Sequence, residues 1–201
     1  MEKRPWWEEA IKLNPNDDHA YLHRAVWNQS FGDKDCVLKD LNKAIQLNPR
    51  NRDALWQRAK FKEALSDYIG AIEDYTMIIE MQPKVALNYA ERGGAKHKLG
   101  DKRGAIMDIT KAIELGPSEL DPDFIWYNNR ATIKYQLEDY EGALEDYSKS
   151  IQLYPEQDNA YLNRGTTLYT LGLKREACLD WEKSAQLGNS LGTDMIRKYC
   201  K

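Results

Sequence analysis

The sequence predicts an all-α solenoid of antiparallel helix pairs, and three observations carry that prediction. Pro15, Pro49, Pro83 and Pro117 fall 34 residues apart, and a fixed period of this size decides architecture before any local signal does. The stretch Asp139-Tyr-Glu-Gly-Ala-Leu-Glu-Asp-Tyr-Ser-Lys-Ser-Ile-Gln-Leu-Tyr-Pro155 has looser copies at Asp33 to Pro49, Asp67 to Pro83 and Asp101 to Pro117. Small and large residues alternate in register. Ala25, Ala59, Gly93, Ala131 and Gly165 form one small column, and Val37, Ala71, Ala105, Ala143 and Ala177 another. Between them stand Tyr21, Leu55, Tyr89, Tyr127 and Tyr161, and Leu41, Tyr75, Ile109, Tyr147 and Trp181. Interdigitated helix packing needs that alternation.

Each period reads as two helices. In the last copy Tyr161, Gly165, Leu168 and Leu171 make one apolar stripe at helical spacing, and Gly172 ends it. Ala177, Trp181, Ala185 and Leu187 form the stripe of the second helix. Asp33, Asp67, Asp101 and Asp139 precede the second helices, where a carboxylate caps free backbone N–H groups. The closing proline has no N–H to offer and stops the second helix. Val37 and Ile78, larger than the usual alanine at their places, predict looser local packing.

This combination of an aromatic, a small residue, a Gly-Asp-Tyr-like turn, Ala and a terminal Pro on a 34-residue period resembles the tetratricopeptide repeat (TPR) family. The resemblance spans residues 5 to about 188. It implies a right-handed superhelical solenoid: a half repeat at 5–17, repeats at 18–51, 52–85, 86–119, 120–157 and 158–188, and a capping helix over 189–201. The fourth repeat carries four extra residues within Ser118 to Asp123, an insertion a loop tolerates. Leu191, Met195, Ile196 and Tyr199 share one face of the final helix, which reads as a cap in preference to a partner-binding tail. The leading half copy lacks its first helix. Trp6, Trp7 and Ile11 are thus short of a neighbour, and this end reads as an upstream truncation, a cap or a self-association surface.

One constellation exceeds the family's minimal pattern. Arg24, Arg58, Arg92, Arg130 and Arg164 hold one place in the five first helices, and Asp40, Asp74, Asp108, Asp146 and Asp180 hold one place in the five second helices. A guanidinium fork facing a carboxylate is bidentate and directional. Because an acid recurs with every arginine, we read structural ion pairs rather than a row of arginines for acidic ligands.

The resemblance also implies a groove lined by the other face of the first helices, where peptides or partner helices bind. Carried across, that face supplies Trp56, Gln57, Lys60, Glu91, Asn128, Asn129, Tyr135, Asn163 and Tyr169 as candidate partner-binding residues. Asn129 and Asn163 repeat at one place, as do Tyr135 and Tyr169. An amide that both donates and accepts can hold a peptide backbone whatever its side chains, although asparagine is equally a tolerated solvated residue there. The tyrosines add amphipathic contact area. The Lys/Asn/Arg clamp by which some members bind chaperone C-termini finds Leu22, Val26, Gln57, Leu87 and Glu91 instead, which disfavours a cochaperone role.

Composition sets the remaining bounds. The chain has 201 residues, 42% hydrophobic and 30% charged, with net charge −3, so no global field recruits nucleic acid or anionic membrane. No run of ~18 apolar residues predicts a membrane span. Met-Glu-Lys-Arg-Pro-Trp-Trp has no apolar leader core, and the expectation is cytoplasmic; a leader removed upstream would leave no trace. Cys36, Cys178 and Cys200 are odd in number, without metal or redox spacing; Cys36 and Cys178 fall in helical patterns and read as small apolar residues, and the default is a reducing compartment. His19 and His23 stand four apart, but no further ligand is placed beside them, and neither a metal nor another cofactor is expected. No phosphate loop or nucleophile–base pair occurs. The expectation is a non-enzymatic interaction scaffold for a protein or peptide partner. The alternatives are a self-assembling subunit associating through its N-terminal end and a regulatory fragment of a larger protein.

Overall fold

The computed structural model describes residues 6–30, 34–117 and 122–200. The expected cap Asp33, the start of the half copy at Pro5 and most of the insertion after Pro117 lie outside them. Among the described residues there are twelve α-helices and no strand. The chain divides into two compact units, Met1–Leu99 and Gly100–Lys201.

Unit one holds α1 (Trp6–Leu13), α2 (Asp18–Gln29), α3 (Lys34–Leu47), α4 (Arg52–Ala64), α5 (Tyr68–Met81) and α6 (Ala86–Leu99). Each packs chiefly on its neighbour in sequence, the nearest-neighbour pattern of repeat architecture. Its core takes the small columns and the large residues between them: Ala25, Ala59, Val37, Ala71, Leu41 and Leu55 are all 0% exposed. Ile78 is also fully buried, as is Val37, so both larger side chains are taken into the core. Their extra methyl groups are absorbed into the core they share with Tyr75.

Unit two holds α7 (Lys102–Leu115), α8 (Asp123–Tyr135), α9 (Tyr140–Leu153), α10 (Asp158–Thr170), α11 (Lys174–Gln186) and α12 (Ser190–Tyr199), again packed in chain order. Trp181 is fully buried, and its Nε1 donates to the Leu162 carbonyl at 3.3 Å. Gly165 makes room for it: a Cβ there would stand 2.8 Å from the indole ring.

Asp67, Asp101 and Asp139 cap α5, α7 and α9 by accepting from the backbone N–H groups of Gly70, Gly104 and Gly142 at 3.0, 2.9 and 3.0 Å. The glycine three residues on is part of the device, because a Cβ there would fall 2.0–2.4 Å from the capping carboxylate. Two of the first helices, α2 and α4, have caps that the sequence reading missed, with Asp17 accepting from Ala20 N and Asn51 from Ala54 N. Two residues before α5, α7, α9 and α11 the chain turns through the left-handed region, at Ser66 (φ 63°), Gly100 (97°), Glu138 (64°) and Gly172 (82°). Glycine adopts this conformation freely; serine and glutamate do so at a cost.

The cysteine expectation is corrected. Cys178 on α11 and Cys200, just past α12, form a disulfide with Cα atoms 5.8 Å apart, and Cys36 stays outside any disulfide. The pairing was not legible from sequence because residues 22 apart meet only once α12 folds back on α11. It also removes the cysteine-based argument for a reducing compartment. The face α12 turns inward differs in part from the expected stripe. Leu191 is exposed and Gly192 is buried. A Cβ on Gly192 would come within 2.8 Å of Ala185 N and 2.9 Å of the Trp181 carbonyl.

Candidate functional site

The arginine and aspartate columns meet as forks. Arg24 reaches Asp40 with Nε and Nη2 both at 2.7 Å. Arg58 reaches Asp74 at 3.0 and 2.6 Å, Arg130 reaches Asp146 at 2.8 and 2.7 Å, and Arg164 reaches Asp180 at 2.8 Å twice. The carboxylates are buried, from 1% to 7% exposed. Arg92 and Asp108 lie one in each unit.

Two further layers of this ladder were missed. Nη1 of each later arginine donates to a polar side chain one repeat earlier: Arg58 to Asn42 (2.7 Å), Arg92 to Thr76 (3.1 Å), Arg130 to Thr110 (2.9 Å) and Arg164 to Ser148 (3.1 Å). Lys62 and Lys134, one turn after their arginines, add a second cation to Asp74 and Asp146 at 2.9 and 2.8 Å. The signal was present as a polar residue two places after Asp40, Asp74, Asp108 and Asp146. Above the forks, Arg24, Arg92, Arg130 and Arg164 lie over the rings of Tyr21, Tyr89, Tyr127 and Tyr161, 5.5–5.8 Å from the centroids.

The candidate groove residues fall into two groups. In unit one Trp56 packs edge-on against Tyr75, with Lys60 5.6 Å from the Trp56 ring centroid. Lys60 is ion-paired with Glu91 and lies 3.6 Å from Glu63. These charges largely satisfy one another. Burial, together with Glu91 and Glu63, pushes the Tyr75 hydroxyl well above the usual phenol range. Gln57 is half-buried on the same helix. His23, beside which His19 is exposed, stacks edge-on with Trp6 at 5.0 Å. Among the described residues no three His, Cys, Asp or Glu side chains are grouped to hold a metal.

In unit two, Tyr135 and Asn163 line a cavity of about 260 Å³ with Thr132, Gln136, Tyr147 and Thr166. Its lining carries no formal charge. Tyr147 comes from the second helix α9, whereas the candidate groove residues were carried across from first helices alone. Its hydroxyl is 3.1 Å from Thr132 Oγ1, and burial pushes its pKa up to about 12. Tyr135 also stacks edge-on with Tyr140, and its hydroxyl lies 3.3 Å from Thr170 Oγ1. Asn129 is exposed on α8, while Asn128 is half-buried with an Oδ1 that has no hydrogen-bond partner. Tyr169 is elsewhere: it packs with Trp181 (5.6 Å) and Tyr199 (4.7 Å) beneath the disulfide-tied end of α12.

Paired helices packed in chain order, with a fork recurring in four of the pairs, define a helix-pair repeat architecture. A family model described as the TPR repeat matches residues 131–172. Solved structures share the fold. A structure of MamA aligns with TM-score 0.77 at 21% identity, over 90% of this chain and 94% of that one. YrrB, described as a TPR protein with an unusual peptide-binding site, aligns with TM-score 0.77 at 16% identity over 95% and 97%. PilF from Pseudomonas aeruginosa aligns with TM-score 0.71 at 20% identity over 86% and 77%. No curated protein matches significantly. Residues 131–172 thus match the TPR repeat, and the chain has the all-α helix-pair solenoid fold of these solved structures.

Proposed function

We propose that this protein is a non-enzymatic protein–protein interaction scaffold, built of the five repeats and flanking caps bounded above. Its partner's peptide segment docks on the first-helix face of unit two. The observation that carries the reading is the uncharged cavity between α8 and α10, where amides, hydroxyls and two tyrosines converge without a charge to neutralise. Such a lining suits a peptide backbone, which needs both donors and acceptors. The unpartnered Asn128 Oδ1, one turn before Thr132, supports a ligand donor at this face. Trp56, Gln57, Lys60 and Glu91 would extend contact in unit one, and Tyr169 would contribute only where α12 leaves it uncovered.

The test is a titration with a segment of a partner captured by the full chain. Asn129→Ala with Asn163→Ala should weaken it about tenfold with the helical signal unchanged. Equal binding by that double variant would move the site off this face. A second reading, self-association through the N-terminal end, rests on Trp6 and Trp27, which are 51% and 45% exposed and joined through Trp7 by ring contacts of 5.9 Å. Solution mass decides it. Among the described residues no helix is long and apolar enough to cross a membrane.

A further inference from the structure

The first rung of the arginine ladder is built differently from the others. Arg24 holds Asp40 as its counterparts hold theirs, but its Nη1 has no acceptor among the described residues. In Arg58, Arg92, Arg130 and Arg164 that same nitrogen donates to an amide or hydroxyl on the preceding second helix. The helix before Arg24 is α1, and there the place equivalent to Asn42 is held by Glu8, which stays exposed. The Arg24 side chain is accordingly 34% exposed, against 17%, 14% and 23% for Arg58, Arg130 and Arg164.

What lies open there is a groove of about 820 Å³, floored by Tyr21, Arg24 and Asp40 and walled by α3. Arg24 and Asp40 cancel. Lys39 and Lys43, one turn apart on α3, have no ion-pair partner among the described residues, and the Asn42 and Gln46 side chains stand beside them. Lys43 donates only a long 3.4 Å bond to Gln46, and Asn42 spends its oxygen on Arg58, so its amide N–H groups remain to donate. The groove therefore combines a directional guanidinium donor, two ammonium groups and amide donors on a chain whose net charge is −3. Lysine heads on flexible stems and a fixed guanidinium fork both favour an oxyanion.

We propose that this α2–α3 groove is a second binding site, and that it takes an acidic segment of a partner protein. One carboxylate of the segment accepts from Arg24 Nη1, completing the rung that exposed Glu8 leaves open. Its neighbouring acids pair with Lys39 and Lys43. The site is separate from the uncharged cavity of unit two and does not depend on it.

The experiment titrates the full chain with a fluorescein-labelled Glu-rich peptide and with a Lys-rich peptide of equal length. The Lys39→Glu/Lys43→Glu and Asn129→Ala/Asn163→Ala variants are titrated in parallel, with circular dichroism to confirm that each is folded. The expected result is binding of the acidic peptide alone, weakened by added salt. Lys39→Glu/Lys43→Glu should lose about tenfold or more, and Asn129→Ala/Asn163→Ala should bind like wild type. Absence of wild-type binding would overturn the proposal and indicate that Glu8 closes the rung itself, which Glu8→Gln would then reverse. Loss in the asparagine variant rather than the lysine variant would assign the acidic segment to the unit-two cavity and also overturn it. Inorganic phosphate perturbing the Arg24 Nε–H resonance while the peptide does not would make this a small-anion site, which is not the site proposed.

Discussion

Replacing Arg130 with Met tests whether the arginine column is structural. Arg130 makes two bonds of 2.8 and 2.7 Å to an Asp146 whose side chain is 6% exposed, and its third donor holds Thr110 at 2.9 Å. Methionine keeps much of the packing and removes the charge. Breaking a buried pair typically costs about 3–5 kcal/mol, because one ion is left uncompensated. Here Lys134 stays 2.8 Å from Asp146, so the lower end, about 3 kcal/mol, is expected. At ~2–4 °C per kcal/mol for a chain of this size, melting should fall by roughly 6–12 °C. Arg164→Met should cost more. Leu168 stands where Lys134 would be, and Asp180 keeps no second cation among the described residues. Adding Asp146→Asn to Arg130→Met should recover most of the loss, since a neutral amide needs no counter-ion. Denaturant unfolding followed by circular dichroism measures all four proteins. Wild-type melting of Arg130→Met, together with lost partner binding, would refute the structural reading and make the arginines ligand contacts.

Two further outcomes follow from the backbone and the cysteines. Ser66→Gly and Glu138→Gly relieve left-handed strain of about 1–2 kcal/mol at the price of a more flexible unfolded chain, so each should stabilise by about 0.5 kcal/mol in denaturant unfolding. Gly100→Ala and Gly172→Ala should destabilise at the equivalent turns. The folded oxidised chain should react with one equivalent of thiol reagent, at Cys36, and Cys200→Ser should lower stability by ~3 kcal/mol, with faster hydrogen exchange confined to the end of unit two.

What was legible in the sequence was whatever repeats. A 34-residue period places Asp67 before α5 and Asp101 before α7, and it sets Arg58 opposite Asp74 because both columns recur. Single events have no second copy to betray them. The Cys178–Cys200 bond and the burial of Gly192 under α12 depend on how one terminal helix lies on α11. Side-chain direction was also hidden. Tyr135 and Tyr169 share a place in the period, yet Tyr135 borders the unit-two cavity while Tyr169 is packed under Tyr199, because one has a following repeat and the other has a cap. The same reasoning runs the other way at Arg24. Periodicity makes Arg24 equal to Arg58, and the structure separates them, because α3 offers Asn42 to Arg58 where α1 carries an exposed Glu8. In such a protein the repeated residues specify the scaffold, and binding sites are to be sought where a column is interrupted or a rung lacks its neighbour.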